Sequence, residues 1–207
     1  MLTAFTAGLL LITVSELGDK TFFIAAILAM RHPRRWVFVG AVAALALMTI
    51  LSVLFGQAAT LLPAVYVQWA KVLLFMGFGF KLLYNASQMT DQACVEEQQE
   101  ALMAVKQAEE KLPKRHTPFA IVTEAFGLTF LAEWGDRTQI ATIALAAANN
   151  PVGVALGAIL GHAVCAAIAV VCGRMVCGRI SERTITMLGG TLFLIFAAVG
   201  LYELLHA

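Results

Sequence analysis

Charge is scarce in this chain. Of its 207 residues, 13% are charged and 60% are hydrophobic, and the mean hydropathy is +0.84. A soluble domain carries roughly 25% charge, so the composition describes an integral membrane protein. A bilayer-spanning helix takes about 20 apolar residues. Six such helices with their loops use nearly the whole chain, which excludes a large soluble domain. The four cysteines, Cys94, Cys165, Cys172 and Cys177, include no C-x-x-C pair. Three of them lie in or beside apolar segments and read as small apolar residues rather than a disulfide framework or zinc site. There is no Gly-rich phosphate loop, no Ser-His-Asp context and no basic stripe. Nucleotide chemistry, serine hydrolysis and nucleic-acid binding are therefore not expected. The chain reads as a non-enzyme with no permanently bound cofactor. The first apolar run has no positive n-region and is interrupted by Glu16 and Asp19, which argues against a cleaved signal peptide.

Six hydrophobic stretches are present: residues 2–30, 36–56, 64–84, 118–148, 151–173 and 184–202. The first and fourth hold 29 and 31 residues. At about 1.5 Å per residue each is longer than a ~30 Å hydrocarbon core, so each must tilt, kink or break. Gly18 and Gly135 sit beside the charges and are the natural breaking points. Ten of the 14 basic residues cluster in alternate connections: Arg31, Arg34 and Arg35; Lys106, Lys111, Lys114 and Arg115; and Arg174, Arg179 and Arg183. The positive-inside rule places these in the cytoplasm. The expected location is the cell (inner) membrane, with both termini outside. Lys81 and Lys71 are expected to snorkel to the inner and outer interfaces. The stretch 85–117 carries Asp91, Glu96, Glu97, Glu100, Glu109 and Glu110. In it Leu102, Val105, Ala108 and Leu112 recur at helical spacing before Pro113. A short amphipathic cytoplasmic helix follows, either solvated or acting as a regulatory acidic surface.

A shift of 117 residues superimposes the two interrupted segments. Ser15-Glu16-Leu17-Gly18-Asp19-Lys20-Thr21 falls on Ala132-Glu133-Trp134-Gly135-Asp136-Arg137-Thr138, and Gly40 falls on Gly157. The expected fold is all-α: six transmembrane helices in two three-helix repeats, residues 1–84 and 118–207, joined by an acidic cytoplasmic linker at 85–117. Three spans is an odd number, so the second repeat enters the membrane from the opposite face. Inverted repeats are a transporter architecture with the site at midplane.

Each motif reads E-x-G-D-[KR]-T. Glu16 and Asp19, like Glu133 and Asp136, are three apart and are expected on one helix face. Six charged groups near midplane cost on the order of 15–20 kcal/mol if left isolated. Pairing within a helix, Glu16 with Lys20 and Glu133 with Arg137, is the plain structural solution. It leaves an excess of two negative charges, which two protons or one divalent cation would neutralise. That arithmetic suggests exchange of a divalent ion for protons. The available donors are hard oxygens: the four carboxylates, Ser15, Thr21, Thr138, the Gln139 amide and carbonyls freed near the glycines. These suit Mn, Ca or Mg and disfavour zinc and copper. His162, beside the Gly153, Gly157, Gly161 packing seam, is a candidate ligand or proton-coupling group against the plainer role of packing residue. Glu124 lies nine residues before Glu133, about 13 Å along a helix. It either guides cations or sits at the interface.

The segments V-S-E-L-G-D-K-T-F-F and F-G-L-T-F-L-A-E-W-G-D-R-T-Q closely resemble the two signature motifs of the Gdt-type membrane cation transporters. The resemblance covers essentially the whole chain. It implies Mn²⁺ and/or Ca²⁺ transport in exchange for H⁺ through Glu16, Asp19, Glu133 and Asp136. Thr21, Thr138 and Gln139 match further motif positions. The short chain resembles the bacterial manganese-exporting branch. The expected mechanism is alternating access, with Lys20 and Arg137 tuning the carboxylates or holding the empty site. The expected partners are a divalent metal ion, protons and the lipid bilayer, and a homo-oligomer is compatible with the sequence. An exporter of small organic cations or amino acids, a cation channel and a non-transporting scaffold are the competing readings.

Overall fold

The structure is a computed structural model. It describes residues 1–89, 93–111, 117–176 and 182–206, with side chains omitted at 93–97, 109–111, 172–176 and 182. Among the described residues the chain is entirely helical. Its elements are α1 (Leu2–Glu16), α2 (Lys20–Arg31), α3 (Arg34–Ala59), α4 (Ala64–Gln88), α5 (Ala93–Lys111), α6 (Pro118–Glu133), α7 (Arg137–Ala148), α8 (Pro151–Val176) and α9 (Glu182–His206). Leu112, Pro113, Lys114, Arg115, Asp91, Cys177 and Arg179, all used in the sequence reading, lie outside the described residues.

Helix boundaries follow local chemistry. Thr117 caps α6 by accepting from the Ala120 amide at 3.3 Å, and Pro118 occupies its first turn. The Asn150 side chain accepts from Gly153 N at 2.9 Å at the start of α8. Among the described residues four helices are long and apolar enough to cross a membrane: α3, α4, and the stretches Pro151–Val171 and Arg183–His206 of α8 and α9. The first and fourth hydrophobic segments are not single helices. Each is broken into two shorter pieces, α1–α2 and α6–α7.

The break has the same shape twice. Leu17 and Trp134 are extended, at φ −64°, ψ 114° and φ −66°, ψ 112°. Gly18 and Gly135 follow with φ +81° and +83°. That left-handed conformation is open to glycine and strains other residues. Asp19 and Asp136 then cap the next helix. The expected face-sharing of Glu16 with Asp19, and of Glu133 with Asp136, is therefore overturned. Each glutamate ends one helix and each aspartate begins another.

Packing interlocks the two halves. A Cβ on Gly40 of α3 would strike the Val122 carbonyl of α6 and crowd the Phe126 amide. A Cβ on Gly157 of α8 would strike the Phe5 carbonyl of α1 and crowd the Leu9 amide. A shift of 117 residues maps the one contact onto the other. Gly153, Gly157 and Gly161 all lie directly against α1, as a close-packing seam requires. Helix α2 is buried from Thr21 to Ala29. It is apolar on every side, as befits a central helix.

The linker helix α5 is not simply solvated. Its Ala101 and Val105 are fully buried in the cluster formed by Phe22–Ala29, Val37, Ala41, Ile121 and Ala125. Met103 and Lys106 on its other side are exposed. Lys71 is buried between α4 and α9, with its ammonium 3.4 Å from the exposed Glu203 near the end of α9.

Candidate functional site

Four helix ends meet where the two breaks face each other. The C-termini of α1 and α6 deliver Glu16 and Glu133, and the N-termini of α2 and α7 begin at Asp19 and Asp136. Asp19 Oδ1 accepts from Lys20 N at 3.0 Å, and Asp136 Oδ1 accepts from Gln139 N at 2.8 Å. The positive ends of two helix dipoles thus support two carboxylates. Carbonyls at the ends of α1 and α6 are released from helical pairing.

Carboxylate oxygens of Glu16, Asp19 and Asp136 lie within 4.8 Å of one another, an arrangement able to hold a metal ion. Of the four predicted acids, Glu133 is outside this triad. It is buried and joined to it through Thr138, whose hydroxyl is 2.7 Å from Asp136 Oδ1 and 3.3 Å from Glu133 Oε2. Thr21 donates to Glu16 Oε2 at 3.2 Å. Each motif threonine therefore holds its own motif glutamate from five residues away.

The ion pairs described for the two motif bases run between elements rather than along one helix. Arg137 reaches across to the other repeat, with Nη2 3.2 Å from Asp19 Oδ2 and 3.2 Å from the Ser15 carbonyl. Lys20 turns away to Glu100 of α5, at 3.1 Å. The two basic motif residues thus have different jobs. One braces the site and the other pairs with the surface of the linker helix. Ser15 contributes its carbonyl, and its buried hydroxyl makes no hydrogen bond. Gln139 is used internally. Its Oε1 accepts from Gly135 N at 2.7 Å, and its amide donates to Met48 Sδ at 3.5 Å.

Glu124 and His162 lie apart from the triad. Glu124 Oε2 is 3.8 Å from His32 Nε2. His162 is buried on the far side of Glu16, in a cavity that Glu16, Thr21 and Thr129 also line. Sequence reasoning missed Glu100 and Thr129. Thr129 had a usable signal, since it lies one helical turn before Glu133. Glu100 had none, as its partner is 80 residues away. A second cavity of about 120 Å³ reaches Asp19, Ser15 and Arg137. It runs between Leu82 and Asn85 of α4 and Ile185 and Thr186 of α9.

Broken apolar helices presenting clustered carboxylates to a cavity of about 120 Å³ are the arrangement of a membrane cation carrier. The chain matches the family described as "Divalent cation/proton antiporter GDT1" over residues 4–90 and 121–207. It is 63% identical over 199 residues to the GDT1-like protein sll0615 of Synechocystis sp., covering 96% of this chain and 97% of that one. It is 46% identical over 202 residues to GDT1-like protein 3 of Oryza sativa subsp. indica (94% and 72%). It is 44% identical over 207 residues to the chloroplastic GDT1-like protein 2 of Oryza sativa subsp. japonica (94% and 60%). No solved structure matches. The chain belongs to the GDT1 family of divalent cation/proton antiporters.

Proposed function

We propose that the protein exports Mn²⁺ from the cytoplasm in exchange for H⁺, by alternating access at a site made by Glu16, Asp19 and Asp136 with Glu133 behind them. The observation that carries this reading is the convergence of three carboxylates within 4.8 Å at the break of two helices. The ligand atoms are hard oxygens, which favours Mn²⁺ or Ca²⁺ over thiophilic metals. Ca²⁺ is the second substrate the same donors accommodate. The high identity to a bacterial relative supports an inner-membrane location.

In this reading each broken pair crosses the membrane as one span, which gives six spans in two inverted repeats. The reciprocal Gly40 and Gly157 contacts support that symmetry. The cytoplasm is the side to which the three base-rich connections of the sequence are assigned, so both termini lie outside. The 120 Å³ cavity opens between the end of α4, which leads into the linker, and the first turns of α9 at Ile185 and Thr186. It is the inward route to the site. The segment 85–117 is then a cytoplasmic linker whose helix docks on α2.

The chain's own groups suggest the cycle. With no cation bound, Arg137 neutralises Asp19 and spans the two repeats. An arriving divalent cation competes with that guanidinium for Asp19. Its binding releases the brace, and the repeats rock so that the site faces outward. Protons then replace the cation on the carboxylates and allow the return.

Proteoliposome flux with Mn²⁺, Ca²⁺ and Mg²⁺, read together with an internal pH dye, tests the proposal. Mn²⁺ movement coupled to opposite H⁺ movement is expected. Mn²⁺ movement without a pH change would make the protein a channel. Equal flux in Glu16→Gln would remove the site assignment.

A further inference from the structure

The cavity behind Glu16 is separate from the one that reaches Asp19. It measures about 10 Å³ and is lined by Glu16, Thr21, Thr129, His162 and Cys165 along with apolar side chains such as Leu45. Three of its lining residues carry buried polar atoms that make no hydrogen bond: Glu16 Oε1, Thr129 Oγ1 and His162 Nδ1. The residues themselves are 2%, 1% and 5% exposed. Buried polar atoms are nearly always satisfied by protein or by ordered water. A cavity of roughly 10–15 Å³ holds one water when two to four polar partners surround it. A bare divalent ion needs six or more oxygen ligands, which this cavity does not supply.

We propose that this cavity is a hydration site. One water molecule bridges Glu16 Oε1, Thr129 Oγ1 and His162 Nδ1, making Thr129 and His162 positioning residues for the Glu16 carboxylate. The inference rests on the reading of Glu16 as a cation ligand. Thr21 holds one oxygen of that carboxylate, and the water holds the other, so the group is fixed from both sides. The site is built from both repeats but serves only one of the two motif glutamates. Under the shift of 117 residues Thr129 corresponds to Ile12 and His162 to Leu45, both apolar. Glu133 therefore has no such partner at the matching positions. The two motif glutamates, alike in sequence, are held differently.

The test uses the full chain in proteoliposomes with Mn²⁺ as the probe. Thr129→Val keeps the shape and loses the hydroxyl. His162→Leu installs the residue of the other repeat, and His162→Asn keeps a polar nitrogen and oxygen. Losing a hydrogen bond to a carboxylate should raise the apparent KM for Mn²⁺ about tenfold in Thr129→Val and His162→Leu. The maximal rate should stay within about twofold, and His162→Asn should recover most of the loss. Pulsed EPR of the Mn²⁺-loaded protein should show no coupling to a directly bound imidazole nitrogen. Such a coupling would make His162 a ligand and overturn the bridging water. Mn²⁺ flux with KM unchanged in Thr129→Val and His162→Leu would overturn the hydration site alone. Absence of Mn²⁺ flux in the unsubstituted protein would overturn the transport reading and this inference with it. Thr129→Val, which removes one hydroxyl without changing volume, keeps the test decisive if His162→Leu does not fold.

Discussion

Asp19 and Asp136 each do two things with one carboxylate, and the two can be separated. Each caps a helix through Oδ1 and each offers an oxygen to the acidic triad. Asparagine is as good an N-cap as aspartate but carries no charge. Asp19→Asn and Asp136→Asn should therefore keep the fold, with melting temperatures within a few degrees of the parent. Mn²⁺ flux should fall at least tenfold. Purified protein assayed by thermal melting and by flux checks both halves of the expectation. Arg137 adds a second prediction. It sits 3.2 Å from Asp19, so on the proposed function it competes with a cation for that carboxylate. Arg137→Gln removes that competitor, so Mn²⁺ should bind more tightly while turnover slows because the empty carrier loses its brace. Equilibrium binding and flux measured on the same preparation would show the opposing changes; weaker binding would refute the role. The identity of these residues was legible in the sequence, because charge in an apolar segment stands out. Their pairing was not. Arg137 takes its carboxylate partner from the other repeat and Lys20 takes its own from the linker, and local spacing carries no information about either.

At the scale of elements, the breaks were readable and their consequence was not. Glycine beside the charges marked where the two long segments interrupt. Helical periodicity then wrongly placed Glu16 and Asp19 on one face, since it assumes a helix that continues. The linker helix α5 was readable as amphipathic. Its apolar face, Ala101 and Val105, buries in the core around α2, and that burial, not its ion pair, holds it. The Lys20–Glu100 pair is largely solvent-exposed, and such pairs contribute at most about 1 kcal/mol. The glycine contacts between α1 and α8 and between α3 and α6 are against backbone and, at Gly40, also the Ala125 Cβ, so neither has a flexible side chain to yield. Gly157→Ala and Gly40→Ala should each destabilise by about 1–3 kcal/mol through overpacking. Because the two contacts are related by the repeat, their effects should be similar in size. Thermal melts of the two variants side by side check this. A large loss in one and none in the other would break the equivalence of the halves.

For the whole molecule, the acidic site ties four helix ends from both repeats into one unit. Any ligand that bridges Glu16, Asp19 and Asp136 links α1, α2 and α7 directly, so binding should raise global stability rather than order a single loop. A ligand that binds only the folded state stabilises by about 2.7 kcal/mol at a hundred times its Kd. Saturating Mn²⁺ should therefore raise the melting temperature of the detergent-solubilised protein by several degrees. The pH dependence has a definite sign. Carboxylates coordinate a cation when deprotonated, and protons compete for the same oxygens. The Mn²⁺-induced rise should be largest at neutral or higher pH and shrink as the medium is acidified. Acid does not enhance it, because no site carboxylate gains affinity for a cation by taking up a proton. Asp19→Asn should abolish the rise at every pH while leaving the metal-free melting temperature nearly unchanged. If the stabilisation were instead due to cations on exposed acids such as Glu100 and Glu203, it would survive Asp19→Asn and vanish in moderate salt, because exposed charges are screened and buried ones far less so. A melting series in Mn²⁺, pH and NaCl on the parent and this one variant thus separates a buried exchange site from surface binding.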